Sequence, residues 1–165
     1  MPEKHRKRLR SVGIRLTAPD GAPRVFHDLV LDYSGTVSLD GSLLPGIEER
    51  LRELSKRLRV TVLTADTFGK AESEMKGLPV EVRIICAGQD KADFLMKRNP
   101  ARAIAIGNGR NDRPMMAIAG LSIAVIGPEG AAGGIFPMAD VVVTHIHHAL
   151  DLIIRPLRLK ASLRD

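Results

Sequence analysis

The 165-residue chain has no tryptophan, one tyrosine (Tyr33), four phenylalanines and one cysteine (Cys86). With aromatic residues at 3%, it lacks the stacking surfaces on which single-stranded nucleic-acid modules rely. A lone cysteine excludes an intramolecular disulfide and any cysteine-based zinc cluster. No apolar run approaches the roughly 18–20 residues needed to span a bilayer. The basic N-terminus is not followed by the apolar segment that a signal peptide carries. The expected location is the cytoplasm.

What is present is ordinary for one globular domain: 44% hydrophobic and 27% charged residues. The net charge of +6 invites a nucleic-acid or membrane-surface reading, but it is unevenly distributed. Lys4, Arg6, Lys7, Arg8, Arg10, Arg15 and Arg24 precede Phe26 with only Glu3 and Asp20 to offset them, which accounts for +5 of the +6. Residues 1–25 therefore read as a basic extension and residues 26–165 as a nearly neutral core domain. In the extension, Val12–Leu16 and Val25–Phe26 around Asp20-Gly21 suggest a small hairpin, and the first ten residues are expected to be mobile. Binding of the basic run to nucleic acid would carry a steep salt dependence; neither that nor membrane association is expected of the core.

From Phe26 onward, β-branched apolar runs alternate with amphipathic stretches. The runs are 29–31, 60–63, 82–85, 103–106, 123–126 and 141–143, mostly continuous, as strands buried on both faces should be. Ile47, Leu51, Leu54 and Leu58 form one helical stripe within Pro45–Leu58. Asp66 or Thr67, Gln89 or Asp90, and Asn111 or Asp112 offer polar starts for three more helices. A last helix is expected over His147–Leu159, weakened near Pro156. Strict alternation implies right-handed βαβ crossovers and an α/β, Rossmann-like, three-layer fold: a parallel sheet with helices on both faces. Functional residues then belong beyond the carboxyl ends of the strands.

Four segments meet that condition. Asp32-Tyr33-Ser34-Gly35-Thr36 places a carboxylate, a potential nucleophile toward phosphorus, at the end of the first core strand; Asp32 reads equally as a turn residue. Thr64-Ala65-Asp66 offers a hydroxyl and free amides suited to a phosphoryl oxygen, although Asp66 is better explained as a helix cap. Lys91 falls near a helix start, where the dipole does not favour a cation; it reads as an anion-neutralising group or as a surface lysine. Gly107–Pro114 supplies Asn108, Asn111 and Asp112 as oxygen donors, and Asp32 with Asp112 would suit Mg²⁺, which takes few carboxylates. The alternative is a Gly/Asn turn.

Read in order, these segments resemble the haloacid dehalogenase (HAD) superfamily, and more closely the phosphorylation domain of P-type ATPases and small soluble proteins similar to it. The family's Asp-x-Asp/Thr-Gly-Thr is matched by Asp32–Thr36, its strand-end Ser/Thr by Thr64, its lysine by Lys91, and Gly-Asp-Gly-x-Asn-Asp by Gly107–Asp112. The likeness spans about residues 26–155. It implies strand order 3-2-1-4-5-6 and a phosphohydrolase acting through an aspartyl-phosphate on Asp32. Mg²⁺ would be held by Asp32, the Ser34 carbonyl, Asn108 and Asp112, and the phosphoryl group by Thr64, Ala65, Lys91 and Asn111.

Two departures stand out. Ser34 occupies the place of the acid–base Asp of HAD phosphatases, which implies slow turnover, since a positioned acid–base contributes about 10²–10⁴-fold. Asn108 replaces an Asp, which removes one negative charge from the metal site. A catalytically weak phosphate-binding or regulatory module is the alternative. A receiver domain fits poorly, because its phosphorylated Asp ends the third strand.

Only 31 residues separate Asp32 from Thr64 and 26 separate Thr64 from Lys91. That leaves no room for a large cap, only a hairpin flap over Val37–Leu44 with Asp40-Gly41 at its tip; a second subunit could cover the open site. No ion pump is expected of this chain. His145, His147 and His148 could suit a metal but lack acidic or sulfur neighbours, so a solvated loop is the plainer reading. Cys86 reads as a strand-end residue, and Arg110 as a surface arginine or a phosphate-steering one.

Overall fold

The computed structural model describes residues 11–165; the basic run at 4–10, expected to be mobile, lies outside them. In chain order the strands and helices are β1 (Ile14–Thr17), β2 (Pro23–Phe26), β3 (Asp28–Leu31), β4 (Ser38–Leu39), β5 (Ser42–Leu43), α1 (Ile47–Ser55), β6 (Arg59–Thr64), α2 (Ala71–Glu74), β7 (Glu81–Ile84), α3 (Gly88–Met96), β8 (Ala103–Gly107), α4 (Arg113–Ile118), β9 (Leu121–Val125), β10 (Val141–Val143), α5 (Ile146–Ile154) and α6 (Pro156–Leu163). Six strands form one parallel sheet in the order β7-β6-β3-β8-β9-β10. Numbered from the first core strand, that is the expected 3-2-1-4-5-6.

The period of two in the strands separates the core into two layers. Leu29, Leu31, Val60, Val62, Ile104, Ile106, Ile123 and Val125 pack on one face with Leu51 and Leu54 of α1 and Leu150 and Ile153 of α5. Val30, Leu63, Ala103, Ala105 and Ala124 face the other layer, with Leu95 of α3 and Met115 and Met116 of α4. Large side chains on the first face and alanines on the second let α3 and α4 approach the sheet closely. That approach carries α3's functional residue to the strand ends.

The β1–β2 hairpin forms around the Asp20-Gly21 turn, with Ile14 opposite Phe26. It is part of the main core: Ile14, Leu16, Ala18 and Phe26 are buried in the same layer as α1 and α5. Val37–Leu44 folds into the expected flap, in which Ser38 pairs with Leu43. Its tip is Asp40-Gly41, both with positive φ (51° and 79°), the requirement of a tight hairpin turn that matches strand twist. Beyond this flap, the described residues contain no cap over the sheet's carboxyl edge.

Two helices differ from expectation. The C-terminal helix is broken in two, because Pro156 has no N–H to continue α5 and is instead accommodated in the first turn of α6. The second helix does not start at Asp66; it is the single turn Ala71–Glu74. Asp66 adopts φ 50°, and its carboxylate accepts the amides of Lys70 and Ala71, each at 3.0 Å. It caps the helix from outside it.

At the amino edge of the sheet, buried Asp28 accepts two hydrogen bonds from Arg59, at 2.9 and 2.6 Å, between residues in direct register on β3 and β6. Truncation at Arg59 would strand that carboxylate. Arg59→Ala is expected to destabilise the fold by about 1–3 kcal/mol, read as a lowered urea midpoint with an unchanged slope. Arg59→Lys should lose less.

Candidate active site

The parallel ladder does not stop at Leu31. The amide of Asp32 donates to the Ile106 carbonyl at 2.9 Å, so Asp32 leaves the sheet between β6 and β8 with its side chain almost entirely buried. The chain then turns: the amides of Thr36, Val37 and Ser38 all point at the Tyr33 carbonyl. The Tyr33 ring is buried, and its hydroxyl donates to the Gly41 carbonyl at 2.7 Å. Burial, then the carboxylates of Glu74 and Asp66, push this phenol up to about 12. It stays a donor at all ordinary pH and ties the flap to the nucleophile loop.

Lys91 enters from the first turn of α3 and is completely buried. Its Nζ lies 2.6 Å from Asp32 Oδ1 and 2.6 Å from Asp112 Oδ1. Burial on its own would lower the ammonium's pKa; the two carboxylates outweigh it and raise the pKa above the ordinary lysine value. The second oxygen of Asp112 accepts the amides of Asn108 (3.0 Å) and Gly109 (2.8 Å). A side chain at Gly107 would collide with that carboxylate, since a Cβ there would sit 2.4 Å from Asp112 Cγ; only glycine lets the loop close. Asp112, expected among the metal ligands, thus has both oxygens engaged, one by Lys91 and one by the backbone.

A different arrangement holds on the other side of Asp32. The Thr36 hydroxyl lies 3.2 Å from Asp32 Oδ2 and 3.1 Å from Asn108 Oδ1. One hydroxyl proton serves only one of these acceptors at a time. The Asn108 amide group is oriented by its Nδ2, which donates to the Gly130 carbonyl at 3.0 Å. Two oxygens, one a carboxylate, therefore share a single proton, and this oxygen surplus suits a hard cation. No group of three or more His, Cys, Asp or Glu side chains that could hold a metal occurs among the described residues. A cation here would rely on amide and backbone oxygens beside a carboxylate, an ordinary set for Mg²⁺.

The other expected residues end at the same sheet edge without touching this cluster. Thr64 closes β6, buried, and its hydroxyl accepts the Asp66 amide at 2.9 Å; Ala65 beside it is exposed. Ser34 is half-buried in the nucleophile loop and Asn111 is exposed. The reading from sequence missed two partners. Thr36, which the sequence marks only as the end of the Asp32–Thr36 segment, joins Asp32 to Asn108. Glu129, from the loop after β9, accepts the Asp40 amide at the flap tip at 2.9 Å; no sequence signal marks an 89-residue contact of this kind. His145 caps α5, accepting the His147 amide, and a His147 ring nitrogen pairs with the Pro45 carbonyl at 2.7 Å. These histidines tie α5 to the start of α1. Cys86 is exposed just beyond β7.

Burial, then the nearby charge of Asp112, pushes Asp32 up to about 7 despite the opposing effect of Lys91. A carboxylate raised on folding contributes stability that is complete below its unfolded range and lost as pH rises through its folded pKa. In the absence of divalent cation, the protein should therefore lose thermal stability between about pH 4 and 7. Asp32→Asn should flatten that slope in melts followed by circular dichroism.

No family model matches the chain. Two uncharacterized proteins of Methanocaldococcus jannaschii do: MJ0073, 49% identical over 72 residues covering 43% of this chain and 77% of that one, and MJ0072, 41% identical over 39 residues covering 24% and 89%. Among solved structures, the cobalt-bound deoxy-D-mannose-octulosonate 8-phosphate phosphatase of Haemophilus influenzae superposes with a TM-score of 0.67 at 18% identity, covering 82% of this chain and 90% of that one. The catalytic domain of the CPx-ATPase CopB superposes with a TM-score of 0.56 at 26% identity, covering 67% and 45%. The strand order and the absence of a cap among the described residues agree with both likenesses, which show the fold that HAD hydrolases have; by sequence, the chain belongs to one family with MJ0073 of M. jannaschii.

Proposed function

We propose that the chain is a Mg²⁺-dependent phosphohydrolase acting through Asp32. The observation that carries this reading is the buried Asp32–Lys91–Asp112 bridge at the carboxyl edge of the sheet, with an oxygen surplus beside it at Asp32 and Asn108. Likeness to phosphatases solved with cobalt, and with magnesium, phosphate and a sugar acid, supports it.

In this reading Asp32, the Ser34 carbonyl and the Asn108 amide oxygen would hold the cation. Asp112, whose oxygens accept from Lys91 and from two backbone amides, keeps lone pairs for direct ligation and would join these ligands while also positioning Lys91. The cation supplies charge neutralisation that lets a phosphate dianion approach a carboxylate. The chain's own residues do the rest. An Asp32 carboxylate oxygen attacks phosphorus, the phosphorus–oxygen bond to the leaving group breaks, and an aspartyl-phosphate forms; water then cleaves it, releasing phosphate and regenerating the carboxylate. Lys91, with Thr64, the Ala65 amide and Asn111, would neutralise and orient the phosphoryl oxygens, an electrostatic contribution. Ser34 provides no acid at the leaving group, so the first step favours leaving groups that depart without a proton, such as acyl or aryl phosphates. A regulatory module that binds phosphate with negligible turnover is the second reading, favoured by Ser34 and Asn108.

The test is phosphate release from an aryl phosphate with Mg²⁺. Wild type should turn over slowly and Asp32→Asn not at all, while Ser34→Asp should gain part of the roughly 10²–10⁴-fold that an acid–base supplies. Equal rates for wild type and Asp32→Asn would overturn the hydrolase reading. Ordering of beryllium fluoride on Asp32 without measurable turnover would establish the module instead.

A further inference from the structure

Next to the Asn108–Asp112 loop lies a hollow of about 320 Å³ lined by Arg110, Arg113, Ala132, Gly133 and Gly134. The same two arginines border a second hollow of about 340 Å³, whose remaining walls are Pro114, Ala117 and Met138. The first adjoins the site directly: the Ala132 amide donates to the Asn108 carbonyl at 2.8 Å, and Asn108 reaches Asp32 through Thr36. Some arginines of the chain are matched with carboxylates, among them Arg24, Arg50, Arg59 and Arg83, while others, such as Arg52 and Arg158, have no such match among the described residues, but those line neither hollow. Neither guanidinium here has an ion-pair partner among the described residues. The nearest acid in sequence, Asp112, is turned inward and spent on Lys91 and the backbone.

Two like charges sharing one hollow repel, and no carboxylate among the described residues pairs with either guanidinium to offset that repulsion. Two glycines line the hollow beside the arginines. A Cβ at Gly133 would meet nothing within 4 Å, and one at Gly134 would rest against the Arg113 guanidinium at 3.6 Å. The space is open, faces two cations and lies one loop from the reacting carboxylate.

We infer that Arg110 and Arg113 form a subsite for a second anionic group, and that the substrate is a small phosphomonoester or acyl phosphate whose other end carries a carboxylate or second phosphate. Arginine suits either anion through its planar fork of donors. The inference rests on the phosphohydrolase reading for its substrate but not for its binding.

Calorimetric titration of the full chain without divalent cation separates the two. The probes are 3-phosphoglycerate, 2,3-bisphosphoglycerate and glycerol 3-phosphate; the first two add a carboxylate or a carboxylate and a phosphate to the same three-carbon frame. Wild type should bind 3-phosphoglycerate at least about tenfold more tightly than glycerol 3-phosphate, the scale of a charge-assisted contact. A further gain for the bisphosphate would identify phosphate as the preferred second anion, and no gain would identify carboxylate. In the Arg110→Ala/Arg113→Ala double variant, and in Gly133→Leu, which fills the hollow, the ratio of the two affinities should fall toward one. A charge-matched control, Arg52→Ala/Arg158→Ala, should preserve it. Equal wild-type affinities, or a ratio that survives in the double variant, would overturn the subsite. Phosphate release with Mg²⁺ is measured separately: an arginine-dependent preference without turnover would leave the subsite standing and overturn the hydrolase reading, and turnover without preference would do the reverse.

Discussion

The ammonium of Lys91, shared between the carboxylates of Asp32 and Asp112, is the contact around which the carboxyl edge of this sheet is organised. All three groups are buried, and each belongs to a different part of the chain: the end of β3, the first turn of α3 and the loop between β8 and α4. Taking charges out of water is expensive, and removing one partner of a buried pair leaves an uncompensated charge. Loop, helix and strand therefore have to arrive together. The same arrangement has a chemical consequence. Two carboxylates and one ammonium leave the cluster a negative charge when all are ionised, which repels a phosphate. Burial and Asp112 relieve this in the free protein by raising Asp32; a cation beside Asp32 and Asn108 would relieve it in a working site.

The packing of the sheet serves that cluster. Alanines at 103, 105 and 124 on the α3/α4 face keep the helices close, so that a lysine in the first turn of α3 reaches a strand-end carboxylate at hydrogen-bond distance. On the opposite face the larger Leu, Ile and Val side chains provide the bulk of the hydrophobic core with α1, α5 and the N-terminal hairpin. The flap is anchored from within by Tyr33 and from across the mouth by Glu129. Among the described residues it is the only structure between the nucleophile and the next core strand that extends over this edge, which leaves selectivity to the loops around the site.

Elements built from local pattern were legible in the sequence. The continuous apolar runs mark the buried strands, the Asp40-Gly41 pair marks a tight turn, and the stripe Ile47–Leu51–Leu54 marks α1. Where expectation and structure part, the cause is local chemistry with two outcomes. Pro156 is both a helix breaker and a favoured first residue, and here it does both. Asp66 caps a helix, but from five residues before it begins, a geometry that polar residues at a helix start do not distinguish from an adjacent cap.

The sequence by itself determined which residues reach the carboxyl edge of the sheet and in what order. Strand periodicity and crossover handedness follow from local pattern, so Asp32, Thr64 and Asn108–Asp112 belong at that edge, while Lys91 reads as a surface lysine as well until the fold buries it. Tertiary structure decided what each atom faces. Lys91 lies between two carboxylates, Asp112 accepts from Lys91 and from two backbone amides, Thr36 links Asp32 to Asn108, and Arg110 and Arg113 border a common hollow. Those relations depend on side-chain directions and on packing between segments remote in the chain, and neither is encoded in any one stretch of sequence.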